Sequence, residues 1–178
     1  ISRSLVGSEM CIRDSDKPFP IGFEQTISQP YTVAFQTETL EIKPGNKVLE
    51  IGSGSGYQTS ILVSMKAEVY SIERIYELYK KSKRILSILN LMPRKIIWED
   101  GYLGSKKDAP FDKILIAAAC VEIPMNLVQQ LKVGGKMIIP IGNQKNQIMN
   151  LITRISKNKI KKTEMGNFLF VPMLTNKI

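Results

Sequence analysis

The sequence contains no histidine. That absence removes imidazole general bases, serine–histidine–aspartate arrangements and histidine metal ligands from the chemistry open to this chain. Cysteine is almost as scarce: Cys11 and Cys120 are too few and too far apart for a metal knuckle or a disulfide framework. No apolar run approaches the roughly 20 residues that a membrane span needs. The opening residues also lack the charged-then-apolar pattern of a secretory signal. These absences predict a cytoplasmic protein whose reaction runs without an imidazole, a thiolate pair or a bound metal.

What is present describes an ordinary globular chain. It has 178 residues, 43% hydrophobic and 23% charged, a balance that suits one domain with a normal core. The formal net charge is +9, which raises the question of an acidic partner such as nucleic acid. The cations are spread along the chain, however, and the densest group, Lys157 to Lys162, contains no aromatic residue on which a base could stack. The charge therefore reads as a solubilising surface. Residues 1–15 show neither helical nor strand periodicity, and Leu5 to Asp14 match the translation of a sequencing-library adapter. They are set aside as a non-native segment, leaving 16–178 as the domain.

From Asp16 onward, short β-rich runs alternate with helical stretches, the pattern of an α/β sheet. Lys47–Ile51 predicts the first core strand, Tyr57 to Met65 a helix, and Glu68–Ile72 the next strand. Leu78 to Leu89 has an amphipathic spacing; Lys95–Trp98 and Phe111 to Ala118 predict two more strands. A helix is expected near Pro124 to Leu131, then a turn at Gly134-Gly135 into a strand over Lys136 to Ile141. Gln147 to Ile155 and Glu164 to Val171 read as a closing hairpin.

The most informative motif is Leu49-Glu-Ile-Gly-Ser-Gly-Ser-Gly-Tyr57, between a predicted strand and helix. Gly52, Gly54 and Gly56 permit a tight turn and close approach of the backbone to a ligand. The helix beyond offers unpaired N–H groups to an anionic group of that ligand. A dinucleotide fingerprint would need glycine at position 57, where the chain has Tyr57, and a phosphate loop would need a Gly-Lys-Ser/Thr ending that is missing. Glu73 closes the second strand, where a carboxylate can accept from both hydroxyls of a ribose, and Asp100-Gly101 follows the third, within reach of an adenine edge. Successive acidic positions at strand ends, with Glu50 before the loop, point to an adenosine-bearing cofactor.

One segment is more specific. Ile21-Gly-Phe-Glu-Gln-Thr-Ile-Ser-Gln-Pro-Tyr31 carries G-x-x-Q-T-I-S-x-P, and in this the chain resembles the protein-L-isoaspartate O-methyltransferases. The similarity continues in order through Val48–Gln58, Val69–Arg74, Asp100–Tyr102, Ala109–Ile114, Glu122–Pro124, Leu131–Gly135, Ile139–Gly142 and Phe170–Met173. The resemblance implies a Rossmann-like, doubly wound α/β fold whose mostly parallel sheet ends in a C-terminal antiparallel β-hairpin. It implies S-adenosylmethionine as cofactor, held by Gln25, Thr26, Ile27, Glu50, Gly52, Gly54, Gly56, Glu73, Arg74, Asp100 and Gly101, with Ser28 nearest the chemistry. Departures exist. Family members carry a further helical segment before the T-I-S motif, so an N-terminally truncated chain is expected. Many have threonine and proline where Ala117 and Val121 stand, and some a threonine where Leu174 stands, so that contact is not assigned.

The implied reaction methylates the α-carboxylate of an isoaspartyl residue; the ester then closes to a succinimide unaided. The expected partners are isoaspartyl proteins and peptides, with no nucleic acid and no membrane, the chain acting as a monomer. A carboxylate is already ionised at neutral pH, its ordinary pKa being about 4, so the missing histidine is no handicap. Tyr31, Trp98 and Tyr102 could touch adenine or peptide, but aromatics beside strands are more often core, and Cys120 reads as inert. The alternatives are a methyltransferase on nucleic acid or a small molecule, or a non-catalytic cofactor-binding fragment. No N-P-P-Y/F base-methylation motif follows the fourth strand; Ala117 to Cys120 stand there instead.

Overall fold

A computed structural model describes residues 16–178; the reading of 1–15 as a non-native segment lies outside the described residues. Among the described residues, seven strands form one sheet in the order β5-β4-β3-β6-β7-β8-β9. The strands are β3 (Lys47–Ile51), β4 (Glu68–Glu73), β5 (Lys95–Trp98), β6 (Phe111–Ile116), β7 (Leu131–Gly142), β8 (Gln147–Arg154) and β9 (Ile160–Phe168). Pairing is parallel from β5 across to β7, and β8 and β9 add on antiparallel. Helices α2 (Tyr57–Ser64) and α3 (Tyr76–Ile88) make the crossovers after β3 and β4. The chain runs outward from β3 to β5 and then returns to place β6 on the other side of β3. That reversal is a topological switch point, where open α/β sheets hold ligands at the strands' carboxyl ends.

Parallel strands covered on both faces need apolar residues at consecutive positions. Val48 and Leu115 pack on one face with Leu40 and Leu62, while Leu49, Ile51, Ile114 and Ile116 pack on the other with Leu127 and Leu131. Both faces are thus closed, and the carboxyl edge is left for chemistry.

Several elements differ from expectation. A small hairpin, β1 (Phe19–Gly22) with β2 (Gln25–Ile27), and helix α1 (Pro30–Thr39) precede the first core strand. Neither carries an apolar stripe. The helix hides Thr32, Gln36 and Thr37 beside Val33, with Gln36 Nε2 donating to the Ile116 carbonyl at 3.2 Å. Helix α4 spans only Met125–Val128, because Leu131 already pairs with Phe111 at the start of β7. The Gly134-Gly135 pair therefore lies inside β7, at an irregularity in its register with β6. The closing hairpin is present, with Ile160 to Lys162 of the basic segment belonging to β9. No helix among the described residues is long and apolar enough to cross a membrane.

Candidate active site

The glycine loop leaves β3 at the switch point and turns sharply because Gly52 adopts φ +91°, a conformation side chains disfavour. Its backbone is held by the neighbouring strand. The N–H groups of Gly52 and Ser53 donate to the Ile72 carbonyl at 2.8 and 3.2 Å. Gly54 N–H donates to Glu73 Oε2 at 2.8 Å, and Gly56 N–H to the Ser53 carbonyl at 2.7 Å. At the start of α2, Tyr57 N–H turns back to Ser55 Oγ at 3.3 Å. Most amides of the turn itself are therefore spent within the chain. This loop shapes a space rather than cradling a phosphate.

That space is a cleft of about 830 Å³, part of it open to solvent at its mouth. Gly52, Gly54, Glu73, Arg74 and Gly101 line it. Gln25, Thr26 and Ile27 of the β1–β2 hairpin, and Ser28 after it, line it as well. Glu73 is only 4% exposed; besides Gly54 it accepts from Ile75 N–H at 2.9 Å, so its carboxylate ties the glycine loop to the start of α3. A Cβ on Gly101 would sit 2.5 Å from Ile51 Cγ2, so only glycine leaves this wall its room.

Three other expected residues do not border the cleft. Glu50 alternates with Leu49 and Ile51 along β3 and so points to the opposite face, fully buried under α2, where Thr59 Oγ1 donates to it at 2.6 Å. Ser71 stands opposite on β4 without closing a hydrogen bond of good geometry, and Glu50 Oε1 is unpaired among the described residues. Burial pushes the Glu50 carboxyl up to about 7; the Ser71 and Thr59 hydroxyls pull against that rise and the Glu73 charge adds to it. Gly56 caps α2, and a Cβ there would meet Leu86 of α3 at 3.2 Å. Asp100 caps a short 3₁₀ turn (Gly101–Leu103): Oδ1 accepts from Tyr102 N–H at 2.8 Å and Oδ2 from Asn176 N–H at 2.7 Å. Its carboxylate thus holds the turn that carries Gly101.

The cleft also has walls that the motifs did not reveal. Gln58, Ile75 and Leu78 border it, as do Ala117, Ala118 and the stretch Val171 to Leu174. That last stretch is pinned across the strand ends, with Ala119 N–H donating to the Val171 carbonyl and Met173 N–H to the Ala119 carbonyl, both at 2.8 Å. Leu174 thus takes part in the wall, whereas Val121 is 83% exposed and outside it. Cys120 is buried, and burial pushes its thiol up to about 11, which fits an inert residue.

A second, larger groove opens beside the first, and Thr26, Ser28, Ala117 and Val171 border both. Ser28 is half-buried there. The hydrogen bonds of its segment are made by its neighbours: Gln29 Nε2 donates to the Asp16 carbonyl at 3.3 Å, and Tyr31 N–H to Asp16 Oδ1 at 2.9 Å. Tyr31, expected in the core, is instead 60% exposed on the groove.

A mostly parallel sheet ending in antiparallel strands, with a glycine turn at its switch point and a buried carboxylate on the next strand, defines a Rossmann-like methyltransferase. Residues 12–178 match the sequence model of the Protein-L-isoaspartate(D-aspartate) O-methyltransferase (PCMT) family, and the chain belongs to that family. It is 54% identical over 162 residues to a protein-L-isoaspartate O-methyltransferase of Christiangramia forsetii, covering 91% of this chain and 76% of the relative. The Flavobacterium psychrophilum protein of the same name is 53% identical over the same shares. A crystal structure from Plasmodium falciparum, assigned to the same activity and holding S-adenosyl-L-homocysteine, superposes with a TM-score of 0.82. It is 29% identical, over 91% of this chain and 82% of that one.

Proposed function

We propose that this chain is an S-adenosylmethionine-dependent protein carboxyl methyltransferase acting on the α-carboxylate of isoaspartyl residues. The observation that carries the reading is the junction at Ser28: one hydroxyl borders both the glycine-lined cleft and the open groove. A donor held in the first and a peptide held in the second would meet there.

The cleft suits that donor. Ile51, Ile72 and Leu78 offer apolar surface to a purine and Glu73 offers carboxylate oxygens to a ribose, while Gly101 keeps the wall free of side chain. Gly52 and Gly54 let the backbone come close, Arg74 lies at the rim, and Gln25, Thr26 and Ile27 cover the opening. In this reading Glu50, Gly56 and Asp100 act behind the wall by fixing α2, its cap and the turn that carries Gly101. S-adenosylmethionine supplies, when bound, a methyl group on a positively charged sulfur.

The chain's own work is orientation. The acceptor carboxylate is ionised at neutral pH and needs no base. Ser28 donates a hydrogen bond to one of its oxygens, leaving the other aimed at the cleft. Near-attack contact requires alignment at roughly 3 Å, and this positioning is where the rate gain lies. The chain acts as a monomer in the cytoplasm on damaged proteins rather than nucleic acid, with residues 16–178 as the methyltransferase domain.

The test uses methyl-labelled S-adenosylmethionine and two peptides differing only in aspartyl or isoaspartyl linkage. Base-labile label is expected on the isoaspartyl peptide alone; equal label on both, or label on RNA or DNA instead, overturns the assignment. For the cofactor, Glu73→Ala is expected to weaken S-adenosylmethionine binding by about 1–3 kcal/mol, through loss of charge-assisted hydrogen bonds. Calorimetry showing unchanged affinity would reject that role.

A further inference from the structure

The groove beyond Ser28 has a chemistry of its own. On its wall the rings of Tyr31 and Phe168 lie nearly parallel, 6.4 Å apart at 8°, and Phe35 backs both at 6.1 and 4.9 Å. Aromatic faces of this size normally find cover, since each carries a large apolar area. Phe35 and Phe168 are half-buried, yet Tyr31 is left mostly exposed although its backbone is fixed by Asp16 at the start of α1. Tyr31 thus forms a shelf with little on top of it among the described residues, three residues beyond the serine that borders both spaces. Among the described residues lining the groove, Lys145 is the sole charged side chain, so a basic segment gains no partner there.

Resting on the reading of this site as an isoaspartyl methyltransferase, we infer that the Tyr31–Phe168 shelf is a specificity subsite for an apolar or aromatic side chain next to the isoaspartyl residue. The occupant is the substrate peptide itself, because the groove is continuous with the donor cleft through Thr26, Ser28, Ala117 and Val171. Neighbouring side chains of an extended peptide point to opposite faces. Tyr31 and Phe168 line the groove and not the donor cleft, so one flank of the isoaspartyl residue is selected and the other is not.

The experiment uses isoaspartyl peptides with phenylalanine, serine or lysine at one flank and then at the other. Turnover is measured with labelled S-adenosylmethionine, and peptide affinity by calorimetry. At one flank the phenylalanine peptide should show a KM and Kd about three- to tenfold lower than the serine peptide, the range expected of one aromatic contact. The lysine peptide should be the weakest. Tyr31→Ala should bring the phenylalanine-to-serine ratio close to one, while Tyr31→Phe, which keeps the ring, retains it. Equal affinities at both flanks in the wild type, or an unchanged ratio in Tyr31→Ala with its melting temperature intact, overturns the subsite. Should no isoaspartyl peptide be methylated, the functional reading fails instead, and the calorimetric ratio alone decides whether the shelf selects apolar flanks.

Discussion

Ser28→Ala should lower kcat on an isoaspartyl peptide by roughly 10²-fold, the loss that follows when a reacting group is no longer held in line. The substitution removes one hydroxyl from a half-buried position between the two spaces and leaves the cleft's floor and walls untouched. Affinity for S-adenosylmethionine should therefore stay within about twofold of wild type, since the proposed arrangement assigns donor binding to Glu73 and the glycine turn. Ser28→Thr retains the hydroxyl and should recover part of the rate. Should alanine leave kcat unaltered while affinity for the cofactor falls, Ser28 would belong to the donor site alone.

The second large effect concerns stability. Among the described residues no cation pairs with the buried Glu50, and its carboxyl is raised from 4.5 to about 7. A carboxyl raised on folding keeps its proton in the native state at pH values where the unfolded chain has lost it. Stability contributed by this group is therefore full below about pH 4.5 and falls as pH climbs to about 7, where the loss levels off. The difference corresponds to about 3 kcal/mol. Glu50→Gln imitates the protonated form and keeps an acceptor for Thr59. Denaturant titrations at pH 4 and pH 8 should show the wild type losing about 3 kcal/mol more than the variant across that interval. Parallel pH profiles for the two proteins would show that Glu50 is not a buried neutral acid.

This carboxyl also shows where sequence reasoning misled. Acidic residues beside the glycine motif all read alike as cofactor ligands, but the period-two alternation of β3 turns Glu50 away from the face that Ile51 presents. The bond that Asp100 makes was hidden for another reason: its partner Asn176 is distant in sequence, and nothing local announces that the tail returns to this turn. Strands β3, β4, β5 and β6 were readable because doubly covered parallel strands leave unbroken apolar runs. The β1–β2 hairpin and α1 were not, since Thr32, Gln36 and Thr37 are buried polar residues whose partners lie elsewhere in the fold or in the helix backbone. The second groove was invisible for the same reason. Its two sides come from the start of α1 and from β9 with the residues after it, segments far apart in the chain.

The decisive observation would be a crystal structure with S-adenosylhomocysteine and an isoaspartyl peptide bound together. Ser28 Oγ should lie about 2.5–3.0 Å from one oxygen of the peptide's α-carboxylate, with the other oxygen directed at the sulfur. A peptide seated outside the groove, or a carboxylate bound with Ser28 turned away from it, would contradict the role assigned to this hydroxyl.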